Sequence, residues 1–168
     1  LAEKASSYSS LKRFTYILAG DGDLQEPIAL GASTLAGHWK LSNLVMFYDK
    51  NDIQIAGNTS RVDSTDYGKL YDAMGWHVQE IDGHNHEEIR SALKSAQLND
   101  KPSIIIGRTV IAKGSHSLEN SHKSHGAPFS EDEIKLTKEK LEIPQDSFFC
   151  NEDIIGHFQR NFHTLNSK

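Results

Sequence analysis

Four short strand-like segments, separated by stretches of helix length, do most to limit what this chain can fold into. Phe14-Thr15-Tyr16-Ile17-Leu18, ending in Ala19-Gly20, is the first, and Leu44 to Tyr48 is the second. Trp76 to Ile81 is the third, and Pro102-Ser103-Ile104-Ile105-Ile106-Gly107, aliphatic at its centre, is the fourth. The first is a short apolar run ending at glycine, as a buried parallel strand is, and the other three also read as strands. Between them lie three helical stretches. Glu26-Pro27 opens one that continues to about Trp39, with proline suited to the first turn. A second runs from Tyr67 to Met74 and is closed by Gly75, and a third runs from about Glu87 to Gln97 after a break at Asp82-Gly83. The order βαβαβαβ predicts an α/β fold: a doubly wound parallel sheet with helices on both faces, binding its ligands beyond the carboxyl ends of the strands.

Asp21, Asn51 and the loop after Thr109 all fall at such ends. Asp21 stands in Gly20-Asp21-Gly22, and Asn51 closes Leu44-Val45-Met46-Phe47-Tyr48-Asp49-Lys50-Asn51. A carboxylate and an amide oxygen at adjacent strand tips suit a hard cation such as Mg²⁺, which takes few protein ligands and prefers phosphate oxygens for the rest. The flanking glycines are expected to let the backbone approach a diphosphate and turn amide N–H groups toward it.

Composition excludes several classes of function. A net charge of −5 and no basic run longer than Lys12-Arg13 argue against a nucleic-acid or anionic-membrane surface. With 168 residues, 37% of them hydrophobic, the chain is expected to bury one core. The lone Cys150 leaves no internal disulfide and fits a reducing, cytoplasmic compartment. No stretch approaches the ~20 apolar residues of a membrane span, and no signal-peptide pattern opens the chain. It begins with Leu1 rather than Met, as an internal piece of a longer protein would.

The segment from Lys113 to Pro128 is polar, carries His116, His122 and His125, and is long for an ordinary connection, which marks a functional loop. The three histidines admit a zinc site as an alternative, although no cysteine or carboxylate pattern accompanies them. Lys113 reads as a solvated side chain. A helix is expected from about Glu131 to Leu141, with Ser130 as N-cap and Glu133 at the capping-box position. A further amphipathic helix is expected from Asp153 to Phe162, and the first thirteen residues read as an approach segment.

Three separated segments carry a resemblance to a known family. They are Gly20-Asp21-Gly22-Asp23-Leu24-Gln25-Glu26, Leu35-Ala36-Gly37-His38-Trp39-Lys40-Leu41-Ser42-Asn43-Leu44 with Tyr48-Asp49-Lys50-Asn51-Asp52-Ile53, and Ser124-His125-Gly126-Ala127-Pro128. In this order they resemble transketolase, and specifically its diphosphate-binding domain, over roughly residues 14 to 141. The resemblance implies the thiamine-diphosphate-binding fold and, as cofactors, thiamine diphosphate and Mg²⁺, with Ca²⁺ as a substitute. It assigns Asp21, Asn51 and the Ile53 carbonyl to the metal, and the Gly22 amide to the diphosphate. Ile55 and Ile111 would pack on the cofactor rings, His125 would contact cofactor and sugar, and Glu26 would join a glutamate network at a subunit interface. The expected activity is transfer of a two-carbon ketol unit between sugar phosphates in the pentose phosphate pathway of carbohydrate metabolism.

The same resemblance implies that residues 1–168 form a single partial domain. The pyrimidine and carboxyl-terminal domains are missing, so the chain is expected to be inactive alone, with sugar phosphates, a pyrimidine domain or subunit, and a second copy of the enzyme as partners. Asp23, Pro27, Gly31 and Ala56 depart from the family pattern. The Glu26-Pro27 pair also resembles the first component of pyruvate dehydrogenase, an alternative family, and a non-catalytic assembly module is a second alternative.

Overall fold

The structure, a computed structural model, describes the backbone of residues 13–166 and the side chains of 13–160. Most of the expected approach segment, and the side chains at the end of the last expected helix, lie outside the described residues. The main sheet has four parallel strands in the order β1-β2-β6-β5: β1 Thr15–Gly20, β2 Leu44–Lys50, β5 His77–Asp82 and β6 Ser103–Arg108. Ile104 of β6 pairs with Met46 on one side and Val78 on the other, so the aliphatic run forms the interior of the sheet.

Helices cover both faces, and chirality explains which helix goes where. The chain advances from β1 through α1 (Asp21–Gln25) and α2 (Pro27–His38) to β2, then through α3 (Tyr67–Ala73) to β5. It then reverses, and α4 (His86–Leu98) leads back to β6 between β2 and β5. With right-handed crossovers, the reversal sends α4 to the opposite face. The side chains record the split. Ile104 and Ile106 pack with Met46, Tyr48, Tyr71, Trp76 and Ala36, whereas Ile105 packs with Val45, Ala92 and Ala96 of the α4 side.

The Trp76, Ser33 and Tyr71 polar groups buried in the first core are paired, as a dry interior requires. Trp76 Nε1 donates to the Ser33 carbonyl at 2.9 Å, and the Ser33 and Tyr71 hydroxyls lie 3.0 Å apart. Local signals set the helix starts. Asp66 caps α3 through the Lys69 N–H, and Asn85 caps α4 through the N–H groups of Glu87 and Glu88.

Two elements depart from the sequence reading. Gly-Asp-Gly, read in the sequence as a strand-end segment with no helix assigned to it, opens the short helix α1, because the Asp23 carboxylate accepts the Gly20 N–H at 2.8 Å and caps its first turn. Beyond Asn51 a small antiparallel hairpin forms from β3 (Ile53–Gln54) and β4 (Gly57–Asn58), followed by a 3₁₀ turn over Thr59–Arg61.

The described chain forms two compact units. One holds the sheet through Lys113 together with Leu118–Ala127; the other holds Gly114–Ser117 and the residues from Pro128 onward, including α5 (Glu131–Lys140) and α6 (Glu152–Asn166). In the second unit Ser130 caps α5 through the Glu133 N–H, as expected. The Glu133 carboxylate, expected to complete a capping box, accepts from both the N–H and the hydroxyl of Ser117, at 2.8 and 2.7 Å. That pairing explains how a carboxylate is tolerated in a buried position.

Candidate functional site

All four parallel strands end on the same side of the sheet, and two hollows open there. One is a cleft of about 530 Å³ walled by Leu18–Gly20, Phe47, Asp49, Asn51, Gly83, His84 and Thr109–Ala112. The other, of about 330 Å³ on the α3 side, is lined by Asp21, Tyr48, Lys50, Asp52, Asn58–Ser60, Asp63–Thr65 and Tyr67.

Asp21 is buried at the junction of α1 with the loop after β2. Its Oδ1 accepts the Tyr48 hydroxyl at 2.7 Å, and its Oδ2 accepts the Asp52 N–H at 3.1 Å. Asp52 itself stands at φ 60°, a left-handed conformation that Asp tolerates better than most residues. Next to it, Asn51 Oδ1 accepts the Ile53 N–H at 3.0 Å, which ties the same loop from the other side. The expected metal ligands Asp21, Asn51 and Ile53 are therefore joined in one hydrogen-bonded loop, although Asn51 lines the first hollow and Asp21 the second.

Burial raises the Asp21 pKa above the ordinary carboxylate value, the Tyr48 hydroxyl opposes that rise, and the neighbouring Asp52 charge adds to it. Burial, together with the Asp21 carboxylate, pushes the Tyr48 phenol well above its normal range, so it acts as a fixed donor. A buried carboxylate beside a second acid is a place where a cation relieves charge. Among the described residues, no group of three or more His, Cys, Asp or Glu is placed to hold a metal by itself. The donor set thus fits an ion that draws its remaining ligands from phosphate oxygens, as Mg²⁺ does. The zinc alternative at His116, His122 and His125 has no supporting cluster among the described residues.

Comparison with known proteins decides the family. The profile described as "Transketolase, thiamine diphosphate binding domain" matches residues 2–168. The chain belongs to the transketolase family. A transketolase of Sinorhizobium medicae is 45% identical over 141 residues, which cover 84% of this chain and 20% of that protein. The crystal structure of transketolase from Campylobacter jejuni superimposes with a TM-score of 0.85 at 42% identity, covering 90% of this chain and 25% of that one. Transketolase of Pichia stipitis, solved in complex with sedoheptulose 7-phosphate, gives a TM-score of 0.87 at 33% identity and covers 95% and 25%. The chain thus spans about a fifth to a quarter of the transketolases it matches.

The remaining transketolase positions are scattered to different degrees. Ile111 lines the first hollow beside Asn51. Ile55 lies in the turn of the β3–β4 hairpin, largely exposed. His125 is exposed just after the 3₁₀ turn His122–Ser124, its N–H bonded to the His122 carbonyl at 3.0 Å, and it is not among the residues lining the cleft. Glu26 is exposed where α1 passes into α2. Gly22 is exposed within α1, and a Cβ built there meets only the Gln54 side chain, at 4.0 Å. The chain itself therefore imposes no glycine at that position. Sequence reasoning missed Tyr48 and His84. In the sequence Tyr48 has no role beyond its place in the second strand and in the Tyr48–Ile53 family segment, and His84 has none.

Proposed function

We propose that this chain supplies the diphosphate and metal half of a transketolase active site. In this reading Asp21, Asn51 and the Ile53 carbonyl hold Mg²⁺, the Gly22 amide meets the diphosphate, and Ile55 and Ile111 flank the cofactor rings. His125 contacts the sugar phosphate, and Glu26 joins a proton network at a subunit boundary. The cofactor, when bound, supplies the electron sink for ketol transfer between sugar phosphates. The chain's own groups orient the diphosphate and hold the metal's charge in place.

The observation that carries the reading is the preset loop at Asp21. One buried carboxylate is already oriented by the Tyr48 hydroxyl and the Asp52 N–H, beside an asparagine at the matching strand tip. Oxygen donors held in place before the ligand arrives lose little freedom when it binds. The substrate class rests on family membership and on the sugar phosphate bound to the Pichia stipitis relative. Because the chain is a fraction of its relatives' length, the rest of the enzyme, in a homodimer with the pyrimidine domain, is proposed to complete the site. The exposed Cys150 accords with a reducing, cytoplasmic setting.

Calorimetric titration of thiamine diphosphate with Mg²⁺ tests the reading. The expected result is saturable, metal-dependent binding that Asp21→Ala abolishes. Binding that persists without divalent metal, or unchanged in Asp21→Ala, would overturn the assignment of the half-site.

A further inference from the structure

We infer that His84 is a positioning residue for the cofactor cleft: its ring holds the loop after β6 in the shape that presents Ile111. The inference rests on the reading of that cleft as the cofactor site. His84 Nε2 accepts the Val110 N–H at 2.8 Å. An imidazole nitrogen that accepts carries no proton, so the ring must bear its proton on Nδ1. The loop on which His84 sits is itself fixed. Its own N–H donates to Asp82 Oδ1 at 2.9 Å, and the preceding Gly83 N–H donates to the Arg108 carbonyl at 2.8 Å. A Cβ on Gly83 would lie 2.5 Å from Thr109 Cγ2 and 3.0 Å from the Arg108 carbonyl oxygen, so only glycine lets the two loops approach this closely.

The partner loop is anchored on either side of the contact. Thr109 N–H donates to the Lys50 carbonyl at 3.0 Å, and Asn120 N–H donates to the Ile111 carbonyl at 3.0 Å. Between these anchors, the Val110 N–H has the imidazole as its acceptor. Two residues on, Ala112 stands at φ 52°, a conformation that persists only where neighbours hold it. His84, Asn51 and Ile111 line the same cleft, so a shift of the loop reshapes the wall of the cleft that Asn51 also lines.

Three readouts on the 168-residue chain test this. Long-range ¹H–¹⁵N NMR should find His84 in the Nδ1–H tautomer, and hydrogen exchange should find the Val110 amide protected. His84→Ala should speed that exchange by about tenfold, the size of one lost hydrogen bond, and His84→Gln, whose Oε1 can accept in place of Nε2, should restore protection. An Nε2–H tautomer, or equal protection in the alanine variant, would overturn the lock. In calorimetry with thiamine diphosphate and Mg²⁺, His84→Ala should bind about tenfold more weakly and His84→Gln within about threefold of wild type. Equal affinity in His84→Ala would refute the positioning role. Failure of the wild-type chain to bind cofactor would instead overturn the reading of the cleft, and tautomer and exchange would still decide the lock.

Discussion

Asp21 carries a cost that its surroundings only partly offset. Burial raises its pKa in the folded chain above the unfolded value, so the folded state holds this proton more tightly than the unfolded state does. The stability linked to it is therefore present at acid pH and lost as pH rises through the raised pKa. Asp21→Asn removes the titration while keeping the shape. The stability of wild type minus that of Asp21→Asn should fall as pH rises above the ordinary aspartate value in metal-free buffer, measured by urea midpoints across a pH series. A flat difference would mean that Asp21 is not desolvated. Mg²⁺ with thiamine diphosphate should reverse the order and favour wild type, since only the carboxylate brings a charge to the metal. At this scale the sequence announced Asp21 and Asn51, because oxygen donors at strand tips are a local pattern. It did not announce Tyr48 or His84. Each acts on a residue more than twenty positions away, and no periodicity encodes which hydroxyl or ring nitrogen will arrive there.

Within α2, two glycines have opposite meanings. A Cβ on Gly31 meets nothing within 4 Å, whereas a Cβ on Gly37 would lie 1.8 Å from the Met74 carbonyl oxygen at the end of α3. Gly31→Ala should therefore raise stability by up to about 1 kcal/mol, the helix-propensity gain at an exposed position. Gly37→Ala, six residues later in the same helix, should lower it by about 3 kcal/mol, because backbone must move to admit the methyl group. Urea unfolding of the pair measures both, and destabilisation by both would refute the open face at Gly31. The strands and long helices were legible from apolar run length and from caps such as Asn85 and Ser130. Helix α1 is not, since three of its five residues, Asp21, Gly22 and Asp23, are poor helix formers. What makes it a helix is the contact from the Asp23 carboxylate to the Gly20 N–H, made by one of the residues that depart from the family pattern. Pro27, another departure, occupies the first turn of α2, where its missing N–H has no cost. The two departures thus support the path of the chain out of the metal loop rather than interrupt it.

For the molecule as a whole, the sheet is covered unevenly. On the α4 side, that helix packs on β2 and β6 through Val45, Ile105, Ala92 and Ala96, while β1 lies at the edge of the sheet. The Tyr16 hydroxyl accepts from Gln97 Nε2 of α4, yet Tyr16 is half exposed, and Leu18 is 85% exposed on the same strand. Ile28 on α2 is 80% exposed as well. Large apolar side chains left in water along a strand that has one partner among the described residues favour association. The matched transketolases are roughly four times as long, so protein that could cover these positions is part of the family's own chain. The 168-residue chain alone should therefore associate as its concentration rises, seen as an increasing weight-average mass in sedimentation equilibrium. Leu18→Lys should suppress that association without lowering the urea midpoint of the monomer, because the leucine side chain already lies in solvent and contributes little to the core. Lost stability in Leu18→Lys would show that Leu18 is packed in the free chain. Unchanged association would move the adhesive surface to the α2 face, where Ile28→Lys is the matching test.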